Sequence, residues 1–167
     1  MGVPAVDPSQ STPVMRAAVR FARSPAGRWF GINVAARVDP FLLGASKGRV
    51  STFAMAPVVN ATVRGRKSGQ PRTSALLYFT DGNDVILIAS SFGREKHPAW
   101  YLNMKANPDV ELEAKGRRGR YVAREATDAE RDRLWGLANQ LYAGYDDYKV
   151  RTDAVGRRIP IMILTPA

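Results

Sequence analysis

The spacing of apolar positions changes from a helical to a strand-like period near Gly48. Before that point, Val14, Ala17, Ala18 and Phe21 recur at the spacing of one helix face. After it, short apolar runs alternate with turn sequences such as GRKSGQ and DGND, as in antiparallel strands joined by tight turns. The pattern therefore predicts a helical N-terminal segment followed by a strand-rich domain.

Three segments are predicted from this pattern. Residues 1–13 are rich in proline, serine and glycine, and we expect them to be disordered. Residues 14–49 are predicted to form a helical extension, in which Pro25 ends the first helix and Pro40 interrupts a second apolar stretch. Residues 50–167 are predicted to form the folded domain.

The folded domain is predicted to be a small antiparallel barrel with inserted helices, mainly β within the α+β class. Its expected strands cover residues 57–63, 72–80, 85–90, 109–115, 120–125 and 158–164. A GRRG turn is predicted between the fourth and fifth strands. One helix is predicted over residues 98–107, and a second begins at the capping-box pair Thr127 and Glu130 and continues through Tyr142.

Composition excludes several kinds of site. The chain has no cysteine and one histidine, His97, so it offers no disulfide, thiol nucleophile, thiolate metal site or histidine cluster. We identify neither an apolar run long enough to span a membrane nor the features of a signal peptide. These observations predict a cytoplasmic protein that depends on a bound cofactor for difficult chemistry.

The net charge of +10 is concentrated in two basic blocks. The first contains Arg64, Arg66, Lys67 and Arg72, and the second contains Lys115, Arg117, Arg118 and Arg120. We interpret the second block as a solvated hairpin turn. The first block has hydroxyl groups beside it and suits a small polyanionic ligand better than nucleic acid, because no nucleic-acid-binding motif accompanies it.

The segment from Arg64 to Pro108 brings a basic turn, two strands and a helix start close together in sequence. Turn amides, helix N-termini and guanidinium groups all present hydrogen-bond donors to anions. This segment contains the motifs GRKSGQPR, the Asp-Gly turn, ASS-x-G, PAWYLN and KANP, and the chain continues with LYAGYDDY and RIPIMILTP. Together these motifs resemble the deazaflavin-dependent nitroreductase family of actinobacteria, which includes F420H2-dependent quinone reductases.

The resemblance implies a split β-barrel that binds coenzyme F420, an 8-hydroxy-5-deazaflavin with an anionic tail. In the family, the basic turn and the following strand bind the tail and ring edge, a serine-glycine loop lies at the phosphate, and a helix start adds contacts. The matching positions are Arg66, Lys67, Ser68, Arg72, Thr73, Ser74, Ala75, Leu76, Ser90, Ser91, Phe92, Gly93, Pro98, Ala99, Trp100 and Asn103.

Three tyrosines recur after the second predicted helix, at Tyr142, Tyr145 and Tyr148. They are either an aromatic lid over the barrel or a source of a phenol that donates a proton or hydrogen bond to the substrate. Tyr145 matches the substrate-side tyrosine of the resembled family. The sequence departs from that family at Phe92, where a glycine is common, at Ala75, where a proline is common, and in the VRTDAVGRR segment.

The expected activity is hydride transfer from reduced F420 to a hydrophobic quinone, nitroaromatic or enone acceptor. Alternatives are an FMN-dependent enzyme on the same barrel, a non-catalytic F420 carrier or membrane-surface protein, and a nucleic-acid-binding module. The N-terminal helical face is bordered by arginines, and it either packs on the barrel or rests on an anionic membrane. The oligomeric state is not determined by the sequence.

Overall fold

The computed structural model describes residues 2–10, 21, 24–30, 33–34, 36–45 and 56–167. Within them, antiparallel strands form a closed barrel in the order β1-β2-β3-β6-β5-β4, which confirms the predicted fold class. The strands are β1 Val58–Arg64, β2 Pro71–Asp81, β3 Asp84–Ile88, β4 Asp109–Ala114, β5 Arg117–Glu125 and β6 Ile161–Pro166. Each lies within a few residues of the span expected from the apolar pattern.

Two of the described helices precede the barrel strands in the chain, and three follow its third strand. They are α1 Pro25–Phe30, α2 Ala36–Ala45, α3 Ala99–Ala106, α4 Asp128–Leu141 and α5 Gly144–Asp153. The capping box at Thr127 and Glu130 is present at the start of α4, as predicted. Helix α5 was not predicted, because its sequence carries no aliphatic stripe; its buried side includes Tyr145, Tyr148 and Thr152.

The predicted break at Pro25 is present, since Phe21 is helical, the chain bends at Ser24 and a new helix follows. Helix α1 begins at Pro25, since proline is well tolerated in a first helical turn, and the Ser24 hydroxyl accepts a hydrogen bond from the Gly27 amide at 3.0 Å. The predicted interruption at Pro40 is wrong, because helix α2 continues through this residue. The helix face predicted over residues 14–21 lies outside the described residues, apart from Phe21.

The predicted GRRG turn is also wrong. The β4–β5 hairpin turns at Lys115 and Gly116, whose φ angles are 49° and 74°, and Ala114 pairs with Arg117 across it. Two successive residues with positive φ match the right-handed twist of the flanking strands, which makes such turns the favoured two-residue hairpin connection. The arginines of the second basic block therefore belong to β5.

The strands separate two apolar clusters. The inner cluster fills the barrel and includes Val59, Ala61, Tyr78, Leu87, Leu112 and Leu164. The outer cluster lies between the sheet and helices α4 and α5, and it includes Phe79, Ile86, Ile163, Leu134, Ala138, Tyr142, Tyr145 and Tyr148. Because neighbouring residues of a strand point to opposite faces, β2 contributes to both clusters, and a ligand at its end can contact either face.

Residues 2–10, for which composition predicts disorder, lie against the barrel. The Val3 amide donates to the Tyr121 hydroxyl at 3.0 Å, and the Val6 amide donates to the Thr80 hydroxyl at 2.9 Å. The Tyr78 hydroxyl donates to the carbonyl of Pro4 at 3.1 Å. These bonds and the packing of two valine side chains offset the entropy cost of ordering the segment.

Candidate functional site

A compact loop joins β1 to β2 and carries the first basic block. Inside it, the Gly65 amide donates to the Gln70 carbonyl at 2.9 Å, and the Gly69 amide donates to the Gly65 carbonyl at 2.8 Å. A Cβ at Gly65 would lie 2.8 Å from the Ser68 hydroxyl oxygen and 3.1 Å from the Gln70 carbonyl oxygen, so a side chain there would push the loop open. The closed loop leaves Arg66 exposed, together with the residues that follow it.

Most cations of the two basic blocks lack an ion-pair partner in the described residues. Arg66, Lys67 and Arg72 are exposed, and no carboxylate in the described part of the chain forms an ion pair with them. In the second block, Arg118 lies 2.9 Å from Glu113 and 3.4 Å from Glu111, whereas Lys115, Arg117 and Arg120 have no ion pair in the described residues. The exposed cations of the first block likewise lack carboxylate partners there and are compatible with an anionic ligand.

Helix α3 anchors the basic turn through Asn103. This side chain is 8% exposed, and its Oδ1 accepts a hydrogen bond from the Arg66 amide at 3.1 Å. The Asn107 side chain also donates to the Arg64 carbonyl at 3.2 Å. Asn103, a contact that the resemblance implied, is thus already engaged in holding the turn. Of its neighbours, Ala99 is exposed, whereas Pro98 and Trp100 are half-buried.

The predicted residues of β2 divide between its two faces. Leu76 packs against the inner cluster, and the strand alternation places Ser74 and Arg72 on that side, near the barrel end. Thr73 and Ala75 point to the opposite face. The Thr73 hydroxyl lies 2.8 Å from the hydroxyl of its cross-strand partner Thr62. Sequence spacing alone could not show that these five neighbours line two surfaces.

The serine-glycine loop adopts an unusual backbone conformation. Ser90 is right-handed, with φ −67° and ψ −34°, whereas Ser91 and Phe92 have φ of 52° and 56°, and Gly93 has φ of 73°. Left-handed conformations cost a non-glycine residue about 1–2 kcal/mol, so the surrounding structure must hold them. A right-handed residue followed by a left-handed one can turn successive amides toward one side, as in backbone anion sites. In this loop the amides of Ser90, Gly93 and Arg94 donate to backbone carbonyls, so an anion would be held by the amides of Ser91 and Phe92.

Phe92 connects this loop to the tyrosine cluster. Its ring meets the Tyr148 ring edge-on, with centroids 6.3 Å apart. A Cβ at Gly93 would lie 3.2 Å from the Tyr148 Cα, so the loop backbone itself lies directly against α5. The serine-glycine loop and the candidate catalytic tyrosines are therefore neighbours in the fold, although about fifty residues separate them in the chain.

The three tyrosines form one buried aromatic cluster, but their hydroxyl groups differ. The hydroxyls of Tyr142 and Tyr148 are hydrogen-bonded to each other at 2.9 Å. Among the described residues, none hydrogen-bonds the hydroxyl of Tyr145. Gly144 permits this packing, because a Cβ there would lie 2.4 Å from the Tyr142 ring. Tyr145 is the cluster member whose hydroxyl has no hydrogen-bond partner among the described residues.

Burial raises the pKa of Tyr145, because the ionised phenolate would lose its hydration. Burial raises the pKa of Tyr142 as well, and the hydrogen bond with Tyr148 raises it further. Both phenols therefore carry their protons at neutral pH. They can donate a hydrogen bond or a proton there, but they cannot act as bases.

Two buried polar residues were not identified from the sequence. Asn60, 4% exposed, lies opposite Ala75, and its Oδ1 has no hydrogen-bond partner among the described residues. Arg157, 6% exposed, bonds to the carbonyls at the end of β3. Asn60 could have been noticed as a polar residue inside the apolar run VVNATV. Arg157 lies in the VRTDAVGRR segment, which the sequence identifies only as a departure from the resembled family.

The donor set fits a ligand with an anionic tail and a flat ring. Exposed cations and loop amides offer hydrogen-bond donors to an anion, and an aromatic cluster lies beside the serine-glycine loop. Within the described residues, no group of histidine, aspartate or glutamate side chains is arranged to hold a metal ion. In the same part of the chain, no helix is long and apolar enough to cross a membrane.

Comparison with known proteins identifies relatives that use such a ligand. A Mycobacterium tuberculosis protein named F420H(2)-dependent quinone reductase is 39% identical over 104 residues, which cover 60% of this chain and 68% of the relative. Another protein of that species is 40% identical over 103 residues, or 62% of this chain and 84% of the relative.

Solved structures agree with these relatives. One, titled as the F420-H2 dependent reductase FDR-A, aligns with a TM-score of 0.59 and 36% identity, covering 65% of this chain and 93% of its own. A second, with the same score and identity, covers 79% of its own chain and is titled a domain-swapped dimer. The family model described as F420H(2)-dependent quinone reductase matches residues 37–166. The chain therefore belongs to the F420H2-dependent quinone reductase family, oxidoreductases whose coenzyme is F420.

Proposed function

We propose that this chain holds the anionic tail of F420 between its basic turn and its serine-glycine loop, and reduces an acceptor placed against the tyrosine cluster. The observation that supports the proposal is the contact between the rings of Phe92 and Tyr148, which brings the serine-glycine loop next to the buried phenols. The flat deazaflavin ring would lie over the outer face of β2, where Thr73 and Ala75 point away from the barrel interior.

The tail contacts follow from charge and hydrogen-bonding capacity. Arg66 and Arg72 offer planar guanidinium forks that suit phosphate and carboxylate groups, and Lys67 adds a compact charge. Ser68 adds a hydroxyl donor on the same exposed turn. Asn103 would act indirectly, since its bond to the Arg66 amide fixes the turn in which these donors sit. We propose the same supporting role for Pro98, Ala99 and Trp100 at the start of α3.

When bound and reduced, F420 supplies a hydride. A quinone that accepts a hydride becomes a hydroquinone monoanion, and one proton then gives the neutral hydroquinone. Tyr145 is proposed to donate that proton and to be reprotonated from solvent, or to hydrogen-bond the oxygen on which negative charge develops. The hydroxyl of Tyr145, unpartnered among the described residues, and the burial of this side chain suit the hydrogen-bonding role, because a hydrogen bond to an oxyanion is stronger at low local dielectric. The raised pKa of Tyr145 makes complete proton transfer the harder of the two roles.

The same arrangement extends the proposed acceptors to nitroaromatics and enones. Each spreads the incoming negative charge onto oxygen, as a quinone does, so each would use the same phenol. Phe92 forms part of the proposed acceptor wall, and its bulk would favour flat acceptors over branched ones. The common requirement is an apolar ring or chain with an oxygen that can accept charge.

The function is tested by mixing purified protein with reduced F420 and following coenzyme absorbance before and after menadione is added. We expect menadione-dependent oxidation with multiple turnovers, and slower oxidation when menadione is replaced by a saturated ketone of similar size. A protein that binds reduced F420 but gives no protein-dependent turnover with quinone, nitroaromatic or enone would be a carrier. That result would contradict the proposed reductase activity.

The N-terminal helices are proposed to contact an anionic membrane surface, where apolar acceptors concentrate. Phe21, Trp29 and Phe41 are 55%, 63% and 76% exposed, so each would bury apolar and aromatic surface in the interfacial region of a bilayer. The net positive charge of the chain would add attraction to anionic lipid.

Flotation with anionic vesicles tests this contact. We expect the parent chain to float with the vesicles, and Trp29→Ser/Phe41→Ser to remain largely in solution. These substitutions are preferable to removing residues 1–49, since residues 2–10 are bonded to the barrel. Val150→Ser is the matched control, because that valine is 71% exposed on α5. Equal flotation of the parent and the double variant would show that Trp29 and Phe41 do not mediate membrane binding.

A further inference from the structure

Arg157 is a buried cation outside the proposed coenzyme contacts. It precedes β6, is 6% exposed, and forms no ion pair with a carboxylate in the described residues. The adjacent Arg158, by contrast, is exposed and bonds to Asp128. Burying a charge without a counter-ion is costly, and burial lowers the pKa of the Arg157 guanidinium. A cation retained under these conditions requires a physical explanation.

The guanidinium of Arg157 ties together the strands and loops on which the proposed phosphate site depends. Its Nη1 donates to the carbonyl of Ala89 at 3.2 Å, and its Nη2 donates to the carbonyl of Ser90 at 2.6 Å. Nη1 also lies 3.3 Å from Nδ1 of His97, the residue before Pro98. One rigid fork thus joins the end of β3, the first residue of the serine-glycine loop and the segment leading into α3.

His97 is suited to this contact as a neutral acceptor. Burial lowers the pKa of His97, and the nearby charge of Arg157 lowers it further. The ring is therefore uncharged at neutral pH, and its Nδ1 can accept a hydrogen bond from the guanidinium. The partners that the described residues offer to Arg157 are then all neutral, and its positive charge is not cancelled.

The Nε donor of Arg157 points to the same conclusion. It is buried and has no hydrogen-bond partner among the described residues. The loop that begins at Ser90 holds Ser91 and Phe92 in left-handed conformations, which require support from surrounding contacts. An uncancelled cation behind an anion-cradling loop makes that loop electropositive, and low local dielectric lengthens the reach of its field.

We propose that Arg157 is a positioning residue that locks the serine-glycine loop in its anion-cradling conformation and supplies the buried positive charge behind it, with a phosphate group in the loop as its counter-ion. This inference rests on the proposed function, because F420 is the ligand whose phosphate the loop would hold. Arg157 touches the loop backbone and not the ligand, so it acts through Ser90.

The test compares Arg157→Met with Arg158→Met, which removes the same charge from the neighbouring exposed position. Two ligands are titrated: F420, and the corresponding deazariboflavin that lacks the phosphate-bearing tail. We expect Arg157→Met to weaken F420 binding at least about tenfold, which is the scale of one lost charge-assisted contact. The affinity for the phosphate-free ligand should change less than about twofold. Arg158→Met should leave both affinities unchanged.

A second measurement needs no coenzyme. Amide hydrogen exchange of the unliganded protein should accelerate at residues 91–94 in Arg157→Met, while exchange in β4 and β5 stays like the parent. Arg157→Lys covers the case in which the methionine variant does not fold. Its single ammonium retains the charge but cannot bridge both carbonyls and His97, so we expect faster loop exchange and intermediate F420 affinity.

The outcomes separate the two proposals. Two results would contradict the positioning role of Arg157: an equal loss of affinity for both ligands, or unchanged loop exchange in Arg157→Met and Arg157→Lys. Arg157 would then contribute only to packing. Failure of the parent protein to bind F420 would instead overturn the proposed function. The exchange comparison would then still show whether Arg157 holds the loop.

Discussion

Lys67→Ala and Arg72→Ala should each weaken F420 binding by about ten- to a hundredfold. Charge-assisted hydrogen bonds contribute roughly 1.5–3 kcal/mol, and every 1.4 kcal/mol corresponds to about a tenfold change in affinity. Both side chains are exposed and lack an ion-pair partner in the described residues, so their removal leaves no buried charge unpaired. We therefore expect the melting temperature to stay close to that of the parent.

The second basic block provides the matched control. Lys115→Ala/Arg117→Ala removes two positive charges from the β4–β5 hairpin, as the combined Lys67→Ala/Arg72→Ala variant does from the basic turn. Titration of F420 into both double variants separates local contacts from overall net charge. If the two doubles lose affinity equally, the coenzyme senses only the general field of the protein, and the basic turn is not its tail site.

Tyr145→Phe should lower turnover at least about tenfold, equivalent to about 1.4 kcal/mol in the activation barrier. General acid assistance is typically worth about a hundredfold or more, and water can replace part of it. The phenylalanine ring keeps the contacts with Tyr142 and Tyr148, whose ring centroids lie 5.2 Å and 6.4 Å away. Coenzyme affinity and melting temperature should therefore remain near the parent values.

Tyr142→Phe is the control for Tyr145→Phe, since it removes a hydroxyl that is bonded within the cluster. We expect it to cost about 0.5–1.5 kcal/mol of unfolding free energy and to leave turnover within a few-fold of the parent. Turnover would be measured with menadione, a nitroaromatic and an enone. Parental turnover by Tyr145→Phe on all three acceptors would leave the tyrosines as an aromatic lid without a donor role.

Burial of Tyr145 has a further consequence for pH dependence. Its pKa is raised, so its proton is retained well above the pH at which a free tyrosine begins to ionise. A decline of turnover between pH 7 and 9 would thus come from another group. Any such decline of turnover with rising pH should be the same in the parent and in Tyr145→Phe.

The barrel was predictable because its signals are local. Alternating apolar residues, the Asp-Gly turn and the capping box each report on a few neighbouring positions, and all agree with one antiparallel architecture. The β4–β5 turn was misplaced by one to two residues, because the GRRG sequence contains two glycines. Which one takes the positive φ depends on strand register, and the sequence does not state that register.

Other features depend on contacts between distant residues. Helix α5 gains its buried face from Tyr145, Tyr148 and Thr152, which pack only once β2, β3 and α4 are assembled. Residues 2–10 find hydrogen-bond partners on β2 and β5, so composition alone predicts too much disorder. Propensity describes the isolated segment, and tertiary packing overrides it.

The candidate site was predictable as a set of motifs but not as an arrangement. The resemblance named Asn103 as a contact, and the structure adds a bond from the Arg66 amide to its Oδ1 that sequence motifs do not show. The separation of Thr73 and Ala75 from Ser74 follows from strand alternation. The position of Arg157 behind Ser90 joins residues 67 apart in the chain, which spacing within one motif cannot reveal.

The central claim is that the basic turn and serine-glycine loop bind F420 in preference to other redox coenzymes. The most direct measurement is a titration of the unliganded protein with F420, FMN and NADPH at low and at raised salt. We predict that F420 binds much more tightly than the other two, and that its affinity falls as salt screens the exposed arginine and lysine contacts. FMN binding as tight as F420, or tighter, would contradict the account and assign the barrel to flavin chemistry.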